Sequence, residues 1–216
     1  MEDEPQELQL ARQRLVEHLK HEGIRDRAVL EAIESVPRHV FVYEHLLERA
    51  YDDAPLPIGH GQTISQPYIV AQMTATLCHG KRLKKVLEIG TGCGYQTAVL
   101  AKLVEQVYSI ERIKNLSQVA QMTLKNLNIE NVTLKYGDGY QGWVEYAPYD
   151  GILVTAAPEH IPETLLNQLA EGGRMVIPVG ELGYQKLMLI EHHQGNFKQT
   201  FLEGVRFVPL MPGLDE

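Results

Sequence analysis

Ten residues, Val86-Leu87-Glu88-Ile89-Gly90-Thr91-Gly92-Cys93-Gly94-Tyr95, constrain this chain more than any other stretch. The apolar run from Val86 to Ile89 predicts a buried strand. Glycines at 90, 92 and 94 let the backbone turn sharply and approach a ligand closely. Residues 95–104 then predict a helix. A strand, a glycine-rich turn and a helix N-terminus together make a βα unit of the kind that binds nucleotides. The dinucleotide spacing is G-x-G-x-x-G. Here it is G-x-G-x-G, with Glu88 two residues before the first glycine. Taken alone, such a turn is also compatible with no ligand.

The rest of the chain supplies what a nucleotide fold needs. Gln106-Val107-Tyr108-Ser109-Ile110-Glu111 alternates as a strand and ends in an acid 21 residues after Gly90. In βαβ nucleotide folds an acid at about 20 residues hydrogen-bonds the ribose; the other reading of Glu111 is a surface acid opening a helix. A helix is predicted from 113 to 127, then a strand from Val132 to Tyr136, followed by Gly137-Asp138-Gly139. Asp138 can accept from an adenine amino group while its neighbours' amides read the ring, or it can simply make a tight turn. Further strands are predicted over 149–155 and 174–179, with a helix over 162–170 between them. A hairpin closes the chain, its arms 185–193 and 197–207 joined at Gln194-Gly195-Asn196. Alternating β and α elements predict an α/β fold, a doubly wound and mostly parallel sheet.

The first third is helical. Leu8, Ala11, Leu15 and Leu19 recur at helical spacing over 5–21, and Asp26 can cap a second helix that Pro37 stops. Leu46, Leu47 and Ala50 suggest a third. Residues 51–67 contain prolines at 55, 57 and 67 and glycines at 59 and 61, and predict a long irregular loop of functional character. It leads into a helix from Tyr68 to Cys78. Ser65 sits where an N-cap would, and a hydroxyl at a helix N-terminus also lies where an anion would bind. The expected organisation is one domain over 1–216, with residues 1–80 as helical segment and substrate loop and 81–216 as Rossmann-like core.

Composition narrows the class. A net charge of −8 and the lack of a basic stripe argue against nucleic acid. The longest apolar runs, such as Leu187-Met188-Leu189-Ile190, are too short to span a bilayer. The start, Met1-Glu2-Asp3-Glu4-Pro5, does not read as a secretory signal, and two cysteines make no disulfide scaffold, so a cytoplasmic protein is expected. Nine histidines come without H-E-x-x-H or paired C-x-x-C spacing, so no metal is expected.

From about Val36 to Leu210 the sequence resembles the protein-L-isoaspartate O-methyltransferase family. The resemblance lies in Val36-Pro37-Arg38-His39-Val40-Phe41-Val42, Leu56-Pro57-Ile58-Gly59 and Gly61-Gln62-Thr63-Ile64-Ser65-Gln66-Pro67. It continues through the glycine turn to Ala101, then Gly137-Asp138-Gly139 with Gly142-Trp143, and Thr155-Ala156-Ala157-Pro158. It ends with Glu171-Gly172-Gly173-Arg174, Val176-Ile177-Pro178-Val179-Gly180 and Val205-Arg206-Phe207-Val208-Pro209-Leu210. The glycine turn is shared by many S-adenosyl-L-methionine (AdoMet)-dependent methyltransferases. The loop around Ser65 and the stretch 205–210 are specific to this family. Cys93 departs from the small residue, typically serine, expected there.

The resemblance implies a repair enzyme that methylates the α-carboxylate of L-isoaspartyl residues in damaged proteins and peptides. AdoMet is its co-substrate and S-adenosyl-L-homocysteine its product. The ester then loses methanol as the neighbouring amide nitrogen attacks, giving a succinimide that can open to aspartate. By the same resemblance Ser65 is the active-site residue. Glu88, Gly90, Thr91, Gly92, Gly94, Glu111, Asp138 and Gly139 fall to AdoMet. Gln62, Thr63, Ile64, Val208, Pro209 and Leu210 fall to the peptide. A monomer is expected. The competing classes are a methyltransferase for small molecules or nucleic acid, an NAD-dependent oxidoreductase and a non-catalytic AdoMet-binding protein. The absent basic patch, the glycine spacing and the Ser65 loop argue against them respectively.

Overall fold

The computed structural model describes residues 5–215; the acidic start of the chain, residues 1–4, lies outside the described residues. Helices α1 (Gln6–His21) and α2 (Arg27–Ser35) come first. The Asp26 carboxylate accepts from the amides of Ala28 and Val29 at 3.0 and 3.2 Å, the cap its position predicts. In place of a third helix stand two 3₁₀ turns, Arg38–Phe41 and Glu44–Arg49.

Residues 51–67 are more ordered than their prolines and glycines suggest. β1 (Leu56–Gly59) and β2 (Gln62–Ile64) form a small antiparallel ribbon. His60 and Gly61 turn it, both with positive φ, as a tight hairpin needs. Pro57 fits because a two-stranded ribbon has free edges where no amide is required. Helix α3 (Pro67–Cys78) follows, with His79 in the left-handed conformation at its end.

Then come β3 (Lys85–Ile89), α4 (Tyr95–Leu103), β4 (Gln106–Glu111), α5 (Lys114–Asn126), β5 (Val132–Tyr136), β6 (Tyr149–Val154), α6 (Glu163–Leu166), β7 (Leu169–Val179), β8 (Gln185–His193) and β9 (Asn196–Val205). The sheet order is β5-β4-β3-β6-β7-β8-β9. The first five of these strands run parallel, and β8 and β9 close the sheet antiparallel. β5 leads to β6 through 3₁₀ turns, with no helix between. The helix predicted over 162–170 shrinks to Glu163–Leu166. The Gln168 carbonyl accepts from Tyr149 N at 2.9 Å, in the neighbouring strand, and its side chain bonds Trp143 N and Gln141 O. Those bonds draw residues 169–171 into β7.

Strand alternation divides the core in two. Val86, Val107, Leu153 and Val176 face α3 and α4, meeting Met73, Leu77 and Leu100. Leu87, Ile89, Ile152 and Met175 face the other way, toward Leu165 and Leu210. Each fully buried Val, Leu or Ile of β3 stabilises the fold by about 1.5–3 kcal/mol relative to an exposed one. The helical N-terminal part packs its Leu15, Ile33 and Phe41 into one cluster with Tyr95, Ala98 and Val99 of α4. Chain order reverses at β3, which has β4 on one side and β6 on the other. Ligands of open α/β sheets bind in the crevice at such a point. No helix among the described residues is long and apolar enough to cross a membrane.

Candidate active site

A cleft opens at that crevice. Its floor is the glycine turn. The Gly90 amide donates to Ile110 O at 2.8 Å, and Gly94 N closes the turn onto Thr91 O at 2.8 Å. Gly90 has φ +92°, and a Cβ there would collide with the Thr155 hydroxyl. Only glycine lets the backbone pass so close to the end of β6.

Four buried polar side chains hold the turn from below. Glu88 is fully buried, and its Oε2 accepts from Thr97 Oγ1 at 2.5 Å and Ser109 Oγ at 2.6 Å. With its proton on Glu88, Ser109 receives the Thr91 hydroxyl at 2.6 Å. Burial pushes the Glu88 carboxyl up to about 8, against the opposing pull of those two hydroxyls. Its Oε1 has no partner among the described residues. Glu88 thus lies beneath the cleft and forms no part of its wall.

Glu111 lines the cleft. Its two oxygens accept from Gly92 N at 2.8 Å and Ile113 N at 2.9 Å. Burial raises its pKa, and the amide bonds from Gly92 and Ile113 oppose the rise. A carboxylate offers about four lone-pair sites, so acceptor capacity remains after these two bonds. Gly90, Thr91, Gly92 and Gly139 share this lining; Gly94 and Asp138 do not. Gly94 instead takes the left-handed N-cap position of α4. Asp138 caps the next turn through Tyr140 N and holds the C-terminal tail through Gly213 N, each at 2.9 Å.

The facing wall comes from the β1–β2 ribbon and the segment after β9. Gln62, Thr63, Ile64 and Ser65 lie on one side, and Val208, Pro209 and Leu210 on the other. A second groove runs on from the first between α3 and the end of β9. Thr63, Ser65, Thr155 and Val208 line both. The two spaces therefore meet at these four residues, Ser65 among them.

Ser65 is not the cap of α3. Gln66 occupies the N-cap position without a side-chain bond, and Asp53 caps the helix from a distance in sequence. Asp53 accepts from Tyr68 N at 2.8 Å, from Gln66 Nε2 at 3.1 Å, and meets His18 Nε2 at 3.2 Å. The Ser65 hydroxyl is left without a partner among the described residues, on the wall of the cleft.

Arg38 fixes the same loop. It is fully buried, and its guanidinium donates to Ala50 O and Ser65 O at 2.9 Å each and to Ala54 O at 3.4 Å. It also lies over the Tyr95 ring, 4.8 Å from the centroid. Burial lowers its pKa, yet an arginine stays charged. The 205–210 segment is pinned by Gln185, which bonds both the amide and the carbonyl of Phe207, and by Ala157, which pairs with Val208 and Leu210. Spacing and composition assign no role to Arg38, Asp53, Thr155 or Gln185. A lone basic residue between core positions Val36 and Phe41 is the one signal that points to Arg38.

Cys93 is buried between the cleft and the N-terminal part, and burial pushes its thiol up to about 11. At neutral pH it is a thiol and a poor nucleophile.

Residues 10–214 match the family model described as protein-L-isoaspartate(D-aspartate) O-methyltransferase. A protein-L-isoaspartate O-methyltransferase of Halorhodospira halophila is 54% identical over 205 residues, 95% of this chain and 93% of its own length. Protein-L-isoaspartate O-methyltransferase 1 of Nitrosococcus oceani is 57% identical over 201 residues, 93% of this chain and 94% of its own. Among solved structures, a protein-L-isoaspartate O-methyltransferase matches at TM-score 0.84 and 31% identity, over 94% of this chain and 67% of that one. One from Plasmodium falciparum, described as a putative protein-L-isoaspartate O-methyltransferase in complex with S-adenosyl-L-homocysteine, matches at TM-score 0.79 and 30% identity, over 93% of this chain and 98% of its own. With a buried glycine turn at the switch point of the sheet, a serine between two connected clefts and this agreement over nearly the whole length, the chain belongs to the protein-L-isoaspartate O-methyltransferase family.

Proposed function

We propose that Ser65 orients the acceptor carboxylate in the reaction of this family, AdoMet-dependent methylation of L-isoaspartyl residues in proteins. The observation that carries this role is the unpartnered Ser65 hydroxyl on the wall shared by the cleft and the groove. The cleft fits AdoMet. Glu111 keeps lone pairs for ribose hydroxyls, and a side chain at Gly90 or Gly139 would intrude on Thr155 or Ile89 at its floor. When bound, AdoMet supplies an electrophilic methyl group on a sulfonium.

The acceptor is a carboxylate, already ionised at neutral pH, so the protein needs no general base. Its work is positioning, which is worth up to about 7–11 kcal/mol in favourable cases. Sulfonium and carboxylate lose their charges as they react. A cationic clamp on the carboxylate would therefore stabilise the ground state more than the transition state. One neutral hydroxyl is a suitable donor: it aims one oxygen and leaves the other free to attack. Arg38 keeps its charge off the acceptor, since it is fully buried and lines neither the cleft nor the groove.

The remaining roles follow the same reading. Gly90, Thr91, Gly92, Glu111 and Gly139 contact AdoMet; Glu88 and Gly94 shape the turn that does so. Asp138 acts through its spare lone pairs and through Gly139. Gln62, Thr63 and Ile64, with Val208, Pro209 and Leu210, flank the peptide. The chain works as a single catalytic unit and as a monomer in the cytoplasm, on protein rather than nucleic acid.

The test uses radiolabelled AdoMet and two synthetic peptides that differ only in L-isoaspartate against L-aspartate. Base-labile methyl esters are expected in the isoaspartyl peptide alone. Ser65→Ala should lower kcat/KM for it by about 10–100-fold, the worth of one hydrogen bond to a charged group. Its AdoMet dissociation constant should stay near that of the unaltered protein. A large loss of AdoMet affinity would instead make Ser65 a cofactor ligand.

A further inference from the structure

The groove beside Ser65 holds a carboxylate that no group among the described residues pairs with. Glu203 lines it, together with Tyr68 and Arg206. Its Oε1 is buried without a hydrogen-bond partner, and the residue makes no ion pair among the described residues. The side chain is half-buried, and this shielded oxygen is free to accept from a partner that enters the groove.

The backbone aims Glu203 there. β8 and β9 pair with Met188 opposite Phe201, and a regular ladder would next set Leu187 opposite Leu202 and Lys186 opposite Glu203. The register shifts at that point, so Leu187 faces Glu203 and Lys186 faces Gly204. Opposed residues share a face of the sheet. The bulge thus removes Glu203 from the side of its nearest lysine. It turns the acid to the side of Leu187, which packs with Met73 and Leu77 of α3. Bulges commonly re-aim a side chain next to an active site. Tyr68, at the start of α3, is close enough for the Glu203 charge to help raise its pKa, after the larger effect of burial. Tyr68 brings no cation, and Arg206, exposed on the same groove, forms no ion pair with Glu203.

We infer that Glu203 is a specificity residue that pairs with a cationic side chain, lysine or arginine, of the substrate near its isoaspartyl residue. This rests on the groove being where the isoaspartyl peptide lies. Arg206 sharpens the selection, because a cation set beside it would be repelled. The preference therefore belongs to one flanking position rather than to basic peptides in general.

The experiment is a set of isoaspartyl peptides with Ala, Lys or Glu at successive flanking positions, and kcat/KM measured for each. At one position the unaltered enzyme is expected to favour Lys over Glu by about 10-fold, a preference that narrows at high salt. Glu203→Gln should bring that ratio close to one, and Glu203→Lys should reverse it, with the change in KM rather than kcat. Melting temperatures of both variants check that they fold; Glu203→Gln alone decides the matter should Glu203→Lys fail to. A Lys-to-Glu ratio that is the same in the enzyme and in Glu203→Gln at every position overturns the inference and leaves the methylation of the Ala peptide standing. No methylation of the Ala peptide by the unaltered enzyme would remove the reading of the groove, and this inference with it.

Discussion

The two walls of the active site are built on different principles. The cofactor wall is local. Its turn, from Gly90 to Gly94, and the acid that reads it, Glu111, lie on consecutive parallel strands and bond to one another directly. The substrate wall is assembled at a distance. The loop carrying Ser65 is held by Arg38 from an N-terminal turn and by Asp53, which also meets His18 of α1. One wall depends on glycines that clear space above polar side chains of adjoining elements, the other on Arg38 and Asp53, which reach carbonyls and amides from distant parts of the chain. The comparison explains why the helical first third exists. It braces the acceptor side, while the sheet and α4 make the donor side.

If that division holds, damage to the bracing should cost turnover and spare AdoMet binding. Arg38→Leu carries the largest expected effect. It strips donors from Ala50 O, Ala54 O and Ser65 O, and each buried carbonyl left unpaired costs about 1–3 kcal/mol. A fall in melting temperature is expected, with a drop in kcat/KM for isoaspartyl peptide of more than about 100-fold. The dissociation constant of S-adenosyl-L-homocysteine by calorimetry should change far less. Arg38→Lys should recover only part of the loss, because one ammonium cannot span carbonyls that a planar guanidinium reaches together. An equal loss of cofactor affinity and turnover would break the division between the walls.

The converse variant is Glu111→Ala. It removes the acceptor of Gly92 N and Ile113 N and the candidate ribose ligand together. The AdoMet dissociation constant should rise by about 10–100-fold, from the worth of charge-assisted hydrogen bonds. At saturating AdoMet, kcat should recover most of its value. An unchanged dissociation constant would contradict the ribose role.

The same contrast decides what could be read in the sequence. The glycine turn, Glu111 and the parallel order of the sheet are local or nearest-neighbour features, and spacing reveals them. The cap at Asp26 is visible because cap and helix adjoin. Ser65 reads as a cap for the same reason, and long-range packing gives that task to Asp53. Residues 51–67 looked irregular because the pairing of Leu56 with Ile64 is stabilised by the core beneath both, not by propensity. Gln168 shortened a predicted helix through partners at 141, 143 and 149, beyond the reach of any window. Arg38 and Gln185 act wholly through distant backbone groups, so no pattern announces them.

Glu88 gives the smallest effect and the finest test, because it belongs to the local wall without touching the cleft. Its folded pKa, raised by burial to about 8 from an ordinary 4.5, means the folded protein keeps a proton that the unfolded chain releases. Stability from this group is therefore fully present below about pH 4.5 and is lost as pH rises toward and through 8. Melting temperature should fall across that window. Glu88→Gln keeps the shape and an acceptor for Thr97 and Ser109, and it cannot ionise. Its melting temperature should vary less with pH over the same range. AdoMet affinity at pH 7 should move only a few-fold, since the turn keeps its support and Glu111 its place. A loss of binding as large as that of Glu111→Ala would make Glu88 a direct ligand. A melting curve with the same pH dependence as the unaltered protein would show that its proton is not the one the folded state retains.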